Sequence, residues 1–324
     1  MISFCDPTPI RLPLVLTPEE GVALIKANEV AFDARLDQAA AAICRDCLEG
    51  GVRVIRLSGP TCAGKTTTAH KLTSVLEAAG LSVYPISLDD FFYGRDVLEA
   101  MAERHPEGVL DYDSVETIDL SAIEACIRSL METGEADIPV FDFTAGYAET
   151  TRHLRVEADQ TPVFLFEGIQ AVYPEVAALF EGIPSRSIFS NVQRNITLMD
   201  GDGERIFTPS DIRLMRRLVR DEAKRGTTPD FTLTLWESVR ANEESSILPN
   251  AHACDYSIDS TMAFDIHILT PHLRRIFAEH PCDGAEAAEA EAILASIRGV
   301  EGIGDDCLAE NSLYHEFIVQ RGVK

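Results

Sequence analysis

Residues Gly59-Pro60-Thr61-Cys62-Ala63-Gly64-Lys65-Thr66 have the spacing GxxxxGK[ST], and this short stretch constrains the fold more than any other. Its glycines let backbone N–H groups converge on phosphate oxygens. It works only between a strand and the first turn of a helix, whose positive end adds to the attraction. Both neighbours are present as patterns. Val52-Arg53-Val54-Ile55-Arg56-Leu57 is short and β-branched, and from Lys65 onward Ala69, Leu72, Leu76 and Ala79 recur at helical spacing. A glycine turn ending by chance in Lys-Thr would lack that flanking order. The loop predicts a nucleoside triphosphate site whose binding residues are Gly59, Thr61, Cys62, Ala63, Gly64, Lys65, Thr66 and Thr67. Lys65 reaches the β- and γ-phosphates, and the Thr66 hydroxyl binds Mg²⁺.

The rest of the chain reads as an α/β protein with a doubly wound, mostly parallel sheet and helical additions at both ends. Residues 17–49 form a helical lead-in, with Thr17 as cap and Pro18, Glu19 and Glu20 in the first turn. Leu81–Leu88 is a second strand ending at Asp89-Asp90. A polar stretch to about residue 117 precedes a helix over 121–131, and residues 138–143 form a short extended segment. Val163-Phe164-Leu165-Phe166 is a continuous apolar strand ending at Glu167-Gly168, and 187–192 is the next. Apolar runs without alternation fit strands covered on both faces. Thr208-Pro209-Ser210-Asp211 starts a helix that runs to Arg225 and stops at Gly226. A helix over 235–245, a strand over 256–259 and C-terminal helices over 271–279 and 285–298 complete the order. Ligands are expected at the carboxyl ends of the strands.

A formal charge of −25 over 324 residues argues against a nucleic-acid partner, because a polyanion is repelled over most of such a surface. No apolar run approaches the roughly 20 residues of a membrane span, and the first sixteen residues lack a signal-peptide core, so the expected location is cytoplasmic. Of the eight cysteines, Cys44 and Cys47 have metal-ligand spacing, but no second pair follows; free thiols are the better reading. Cys62 lies inside the phosphate loop.

Three acids fall where a nucleotide-binding sheet presents its site: Asp89 and Asp90 after the second strand, Glu167 after the apolar one. Phosphoryl transfer to an alcohol needs a metal to neutralise phosphate oxygens and a carboxylate to take the hydroxyl proton. Asp89, Asp90 and Glu167 can supply both; alternatively the aspartates are a turn and Glu167 a helix cap. Arg213, Arg216, Arg217 and Arg220 are spaced so that most share one helix face. That face either closes over the triphosphate or is solvated and paired with the protein's own carboxylates.

The phosphate loop, Ser87-Leu88-Asp89-Asp90-Phe91-Phe92, Asp111-Tyr112-Asp113, Pro139-Val140-Phe141-Asp142-Phe143, Phe166-Glu167-Gly168-Ile169 and the run Asp211 to Asp221 resemble, in order, the uridine kinase and phosphoribulokinase family. Phe231-Thr232-Leu233, Trp236 to Arg240, Glu243-Glu244, Cys254-Asp255-Tyr256 and the closing Asn311-Ser312-Leu313 and His315-Glu316-Phe317-Ile318 are similar to the longer bacterial uridine kinase-like nucleoside kinases. The resemblance implies ATP- or GTP-dependent, Mg²⁺-dependent phosphorylation of a nucleoside 5′-hydroxyl, with uridine or cytidine as the default. It implies Asp89 as catalytic base with Asp90 as second candidate, and Lys65 and Arg220 acting on the phosphates, Arg220 from a mobile lid. Thr66, Glu167 and Asp89 become the metal-site residues, and Asp113, Phe141, Arg213 and Arg216 those that hold the nucleoside. It divides the chain into a lead-in over 1–50, a kinase core over 51–262 and a C-terminal helical extension over 263–324, and leaves oligomeric state open. Phe141 and Gly146 stand where a tyrosine and a histidine read the pyrimidine in short uridine-cytidine kinases, and Ala148 where the longer relatives usually carry an arginine. Other readings are a kinase for another small alcohol or sugar phosphate, and a non-catalytic ATP-binding regulator.

Overall fold

The computed structural model describes residues 1–104, 113–143, 145–157, 161–201 and 203–319. Asp111 and Tyr112 lie outside them. The central element is a six-stranded sheet in which every pairing is parallel. Val54–Ser58 runs through its middle. Pro162–Glu167 and then Ser82–Ser87 lie on one side, and Ser185–Asn191, Tyr256–Asp259 and Ile2–Phe4 on the other. Parallel neighbours need crossover connections, and helices supply them on both faces.

Alternation along the buried strands divides the core in two. Ile55, Leu57, Val163 and Leu165 belong to one apolar cluster, together with Leu72 and Leu76 of the phosphate-loop helix Lys65–Ala78 and Phe32 and Leu36 of the long helix Pro18–Gly50. Val54, Phe164 and Phe166 belong to the other, with Ile123 and Ile127 of the helix Leu120–Thr133. A central strand that feeds both clusters is held from both sides, so the loop that leaves its carboxyl end is anchored at its root.

Local signals set the helix ends. Thr17 and Glu20 form a capping box at the start of Pro18–Gly50, and Gly51 closes it with φ +67°. Thr208 and Asp211 do the same for Pro209–Arg225, and Gly226 ends it with φ +61°. The helix expected over 271–279 begins six residues earlier and keeps Pro271 inside it, as Asp265–Glu279.

Five strand segments carry no clear sequence signal. The N-terminal region, expected as a helical lead-in, also contributes Ile2–Phe4 to the edge of the main sheet and Ile10–Pro13 to a three-stranded sheet with Ile196–Asp200 and Gly203–Phe207. The extended segment ending near Phe143 is one arm of a hairpin, Glu135–Asp142 with Tyr147–Arg155. In the second arm only Leu154 is buried, so no apolar alternation marks it. Among the described residues no helix is long and apolar enough to cross a membrane.

Candidate active site

The phosphate loop is held in shape from behind. A Cβ on Gly59 would lie 1.9 Å from the Ser190 carbonyl oxygen, and Gly64 sits at φ +77° with the Leu313 side chain against it. Cys62, buried, also takes a left-handed backbone at φ +56°, a conformation uncommon outside glycine. The loop carbonyls are tied off one after another. Lys65 Nζ donates to Pro60 O at 3.0 Å, Arg213 Nη1 to Thr61 O at 3.4 Å, Arg216 Nη1 to Cys62 O at 3.3 Å and Ser190 Oγ to Ala63 O at 3.4 Å. In a planar trans peptide the N–H points opposite its carbonyl. Fixing the carbonyls of Thr61 and Ala63 therefore turns the amides of Cys62 and Gly64 to the opposite side.

This arrangement corrects the expectation for two arginines. Arg213 and Arg216, expected to hold a nucleoside, face the back of the loop with 4% and 0% exposure. Arg213 forms a two-pronged ion pair with buried Glu243, one contact at 2.6 Å. Arg216 grips Asp265 at 2.7 and 2.8 Å and donates to Ser260 O at 3.0 Å, with its guanidinium 5.0 Å from the Phe317 ring centre. Arg217 is buried as well and reaches Asp221 at 3.3 Å. The arginine face is thus paired with the protein's own carboxylates, but inside the core rather than in solvent. Arg220 lies further along the helix. It donates to Asp221 at 2.9 and 2.6 Å and extends Nη1 to the Thr61 hydroxyl at 3.4 Å, which keeps it at the loop.

Asp89 and Glu167 come together with Lys65, because the two strands that end at them are neighbours and the second lies beside the loop strand. Glu167 accepts from Ser87 Oγ at 3.2 Å. Burial, and after it the charge of Asp89, pushes the Glu167 carboxyl up to about 7, with Lys65 opposing. Burial also raises Asp89 above the usual carboxylate range, opposed by Lys65 and Arg225. Two carboxylates crowded together at neighbouring strand ends are a fit for a divalent cation, and Thr66 stands exposed at the adjoining helix start. Thr66, Glu167 and Asp89 would hold Mg²⁺ there, where it neutralises charge on the transferring phosphoryl oxygens.

The raised Glu167 pKa has a consequence for stability. An ordinary glutamate titrates near pH 4.3, so between there and about 7 the folded chain retains a proton that the unfolded chain has released. Stability falls as pH rises through that window. Without divalent metal, Tm is expected to drop by about 2–4 °C between pH 5 and pH 8 relative to Glu167→Gln, which removes the titration. Calorimetry of both proteins checks this; parallel pH profiles would refute it.

Beside Asp89 lies an aromatic surface. Asp90 Oδ1 accepts from the Phe141 backbone N–H at 3.1 Å, pinning the hairpin to the strand end. Phe92, Phe141 and Phe143 pack together with ring centres 5.7, 6.0 and 5.1 Å apart. Asp90 thus has a structural task. Asp113 is fixed through its carbonyl, which accepts from the Tyr173 hydroxyl at 3.0 Å. Gly146 turns the hairpin at φ +82°, with Arg95 against it. Cys47 is buried on the long helix and its thiol is pushed up to about 11 by that burial, which disfavours the thiolate a metal requires.

One residue with no role assigned from sequence sits inside the site. Glu316, from the last turn of the described chain, accepts from both the N–H and the hydroxyl of Thr67 at 3.3 and 3.2 Å. The segment carrying it is locked by Leu313 on Gly64 and by the Tyr314 hydroxyl on Asp265. Its motif was visible, but only folding shows that it reaches the loop 249 residues earlier.

Sequence comparison joins these features. The profile of the Phosphoribulokinase / Uridine kinase family matches residues 54–200, a stretch that includes the phosphate loop, Asp89, the aromatic hairpin and Glu167. Over those residues the chain is similar to this family. Uridine-cytidine kinase B of Dictyostelium discoideum is 28% identical over 222 residues, 66% of this chain and 78% of that protein. A uridine kinase of Lactobacillus johnsonii is 24% identical over 228 residues, 69% of this chain and 95% of that protein. Uridine-cytidine kinase C of D. discoideum is 32% identical over 136 residues, and the match spans about a quarter of its length, 26%. These likenesses point to a phosphotransferase with an alcohol acceptor. The family profile ends before the arginine helix and the C-terminal segment, so the partners of Arg213 and Arg216 and the placement of Glu316 are read from this chain's own structure.

Proposed function

We propose that the chain transfers the γ-phosphoryl group of ATP or GTP to the 5′-hydroxyl of a nucleoside, uridine or cytidine. The observation that carries this reading is the meeting of Asp89 and Glu167 with Lys65 at the carboxyl ends of adjacent strands, next to an aromatic surface able to pack a base. Lys65 and the loop amides hold the triphosphate. Asp89 orients the acceptor hydroxyl and takes its proton; its raised pKa makes it a better base than an ordinary aspartate. Arg220, fixed at the loop rim by Asp221, meets charge on the phosphoryl group. Phe141 packs on the base, and Asp113 is the candidate for the ribose. Residues 51–262 would form the catalytic core, and eight free cysteines support a reducing, cytoplasmic setting.

A sugar phosphate is the second reading, favoured by one observation: the Arg225 guanidinium lies 5.8 Å from the Phe143 ring centre and its charge reaches Asp89, so a cation borders the acceptor side. Incubation with Mg²⁺-ATP and a mixed panel of nucleosides and sugar phosphates, read by mass spectrometry, separates the two. Uridine or cytidine monophosphate, absent with Lys65→Ala, is the expected product. A phosphorylated sugar phosphate would transfer the assignment to that acceptor, and nucleotide binding without any product would make the chain a regulator.

A further inference from the structure

Asp113 stands in a turn outside any helix or strand, so a regular backbone ladder does not fix it. A side chain that meets an acceptor must nonetheless be held to about half an ångström. On its C-terminal side the chain is anchored to the aromatic surface. Ser114 Oγ accepts from the Glu116 N–H at 3.3 Å, the Tyr93 N–H donates to Thr117 O at 3.0 Å, and Ile118 bridges Phe92. The other anchor is Tyr173. This residue is 3% exposed, and its hydroxyl donates to Asp113 O at 3.0 Å and to Asn242 Oδ1 at 2.8 Å. The backbone that carries it is itself held, because it follows Glu167 in a turn whose Ile169 carbonyl accepts from Ser58 Oγ at 2.6 Å.

Asn242 and Glu243 extend this anchor to the phosphate loop. They meet where the helix Pro229–Asn242 gives way to the π turn Glu243–Ile247, and consecutive helical residues point about 100° apart. One helix end therefore serves two partners. Asn242 meets Tyr173, while Glu243 pairs with Arg213, whose Nη1 also donates to Thr61 O at 3.4 Å. Tyr173, Asn242, Glu243 and Arg213 are all buried, so each of these polar contacts is costly to break.

We propose that Tyr173 is a positioning residue for the acceptor: through Asp113 O it sets where the Asp113 carboxylate meets the acceptor sugar, in register with the phosphate loop. The assignment rests on the phosphoryl-transfer reading above. The hydroxyl acts through Asp113 and touches no substrate, so its removal disturbs acceptor binding and leaves the nucleotide in place.

Steady-state kinetics of the full chain with Mg²⁺-ATP and uridine, or the sugar phosphate where that is the product, test this. Tyr173→Phe keeps the ring and its packing. It is expected to raise the acceptor KM about tenfold, with kcat within about threefold and ATP affinity in EDTA within about twofold. Asp113→Ala should raise the acceptor KM by itself, and adding Tyr173→Phe to it should raise KM no further, because the carboxylate through which the hydroxyl acts is gone. A merely structural tyrosine would add its own loss in both backgrounds. Unchanged acceptor KM in Tyr173→Phe, additive losses in the double variant, or equal losses of ATP and acceptor affinity overturn the assignment and leave the phosphoryl-transfer reading standing. An unaltered chain that phosphorylates neither uridine nor a sugar phosphate removes that reading, and the assignment with it.

Discussion

Asp89→Asn is expected to lower phosphoryl transfer by about 10²–10⁴-fold, the usual contribution of a positioned general base, without weakening nucleotide binding measured in EDTA. The affinity should not fall, because the change removes a negative charge beside the triphosphate. The contrast with its neighbour makes the test specific. Asp90→Asn keeps an oxygen that can still accept from the Phe141 N–H, the contact now made at 3.1 Å, so its turnover should stay within a few-fold of the unaltered chain. Steady-state rates and nucleotide titrations on both variants check the pair. Turnover near normal in Asp89→Asn, or an equal loss in Asp90→Asn, would remove Asp89 from the role of base.

Asp265→Ala is expected to cost about 3–5 kcal/mol of folding stability, the range for stranding one partner of a buried ion pair. Arg216 would be left charged at 0% exposure. The Tyr314 hydroxyl and the Met262 N–H, at 3.0 Å, would lose the same acceptor. Because Tyr314 anchors the C-terminal segment, that segment should loosen over the phosphate loop as well. Denaturant unfolding should show the loss, with Tm lower by on the order of 10 °C. Glu204→Ala provides the comparison. Its partner Arg11 is 57% exposed and Glu204 41%, so removing this pair should cost less than about 1 kcal/mol. Equal effects from the two substitutions would show that burial of the Arg216 pair carries no special weight.

The arginine helix shows why a charged row is ambiguous in sequence. Spacing of three and four puts Arg213, Arg216 and Arg220 near one face, and that was legible. Which anions they meet was not, because Glu243 and Asp265 arrive from 30 and 49 residues away. A triphosphate and a buried carboxylate satisfy a guanidinium equally well, so helix periodicity cannot choose between them. The result divides one run of residues into two tasks: Arg213 and Arg216 brace the loop, and Arg220 stays at its rim.

Local information determined much of this protein. The phosphate loop, the helices capped at Thr17 and Thr208 and closed at Gly51 and Gly226, and the apolar strand before Glu167 follow from backbone geometry and side-chain pattern within a few residues, which is what sequence records directly. So does the placing of Asp89 and Glu167 at strand ends. Tertiary structure alone decided the rest. The strands Ile2–Phe4 and Tyr147–Arg155 exist because partners elsewhere accept their backbone hydrogen bonds, not because their side chains alternate. The rise in the Glu167 pKa comes from burial beside Asp89, which no spacing along the chain reveals. Glu316 reaches Thr67 only after the C-terminal segment folds back across the core. Contacts between residues far apart in the chain depend on closing long loops against entropy, and only the packed core makes that closure favourable.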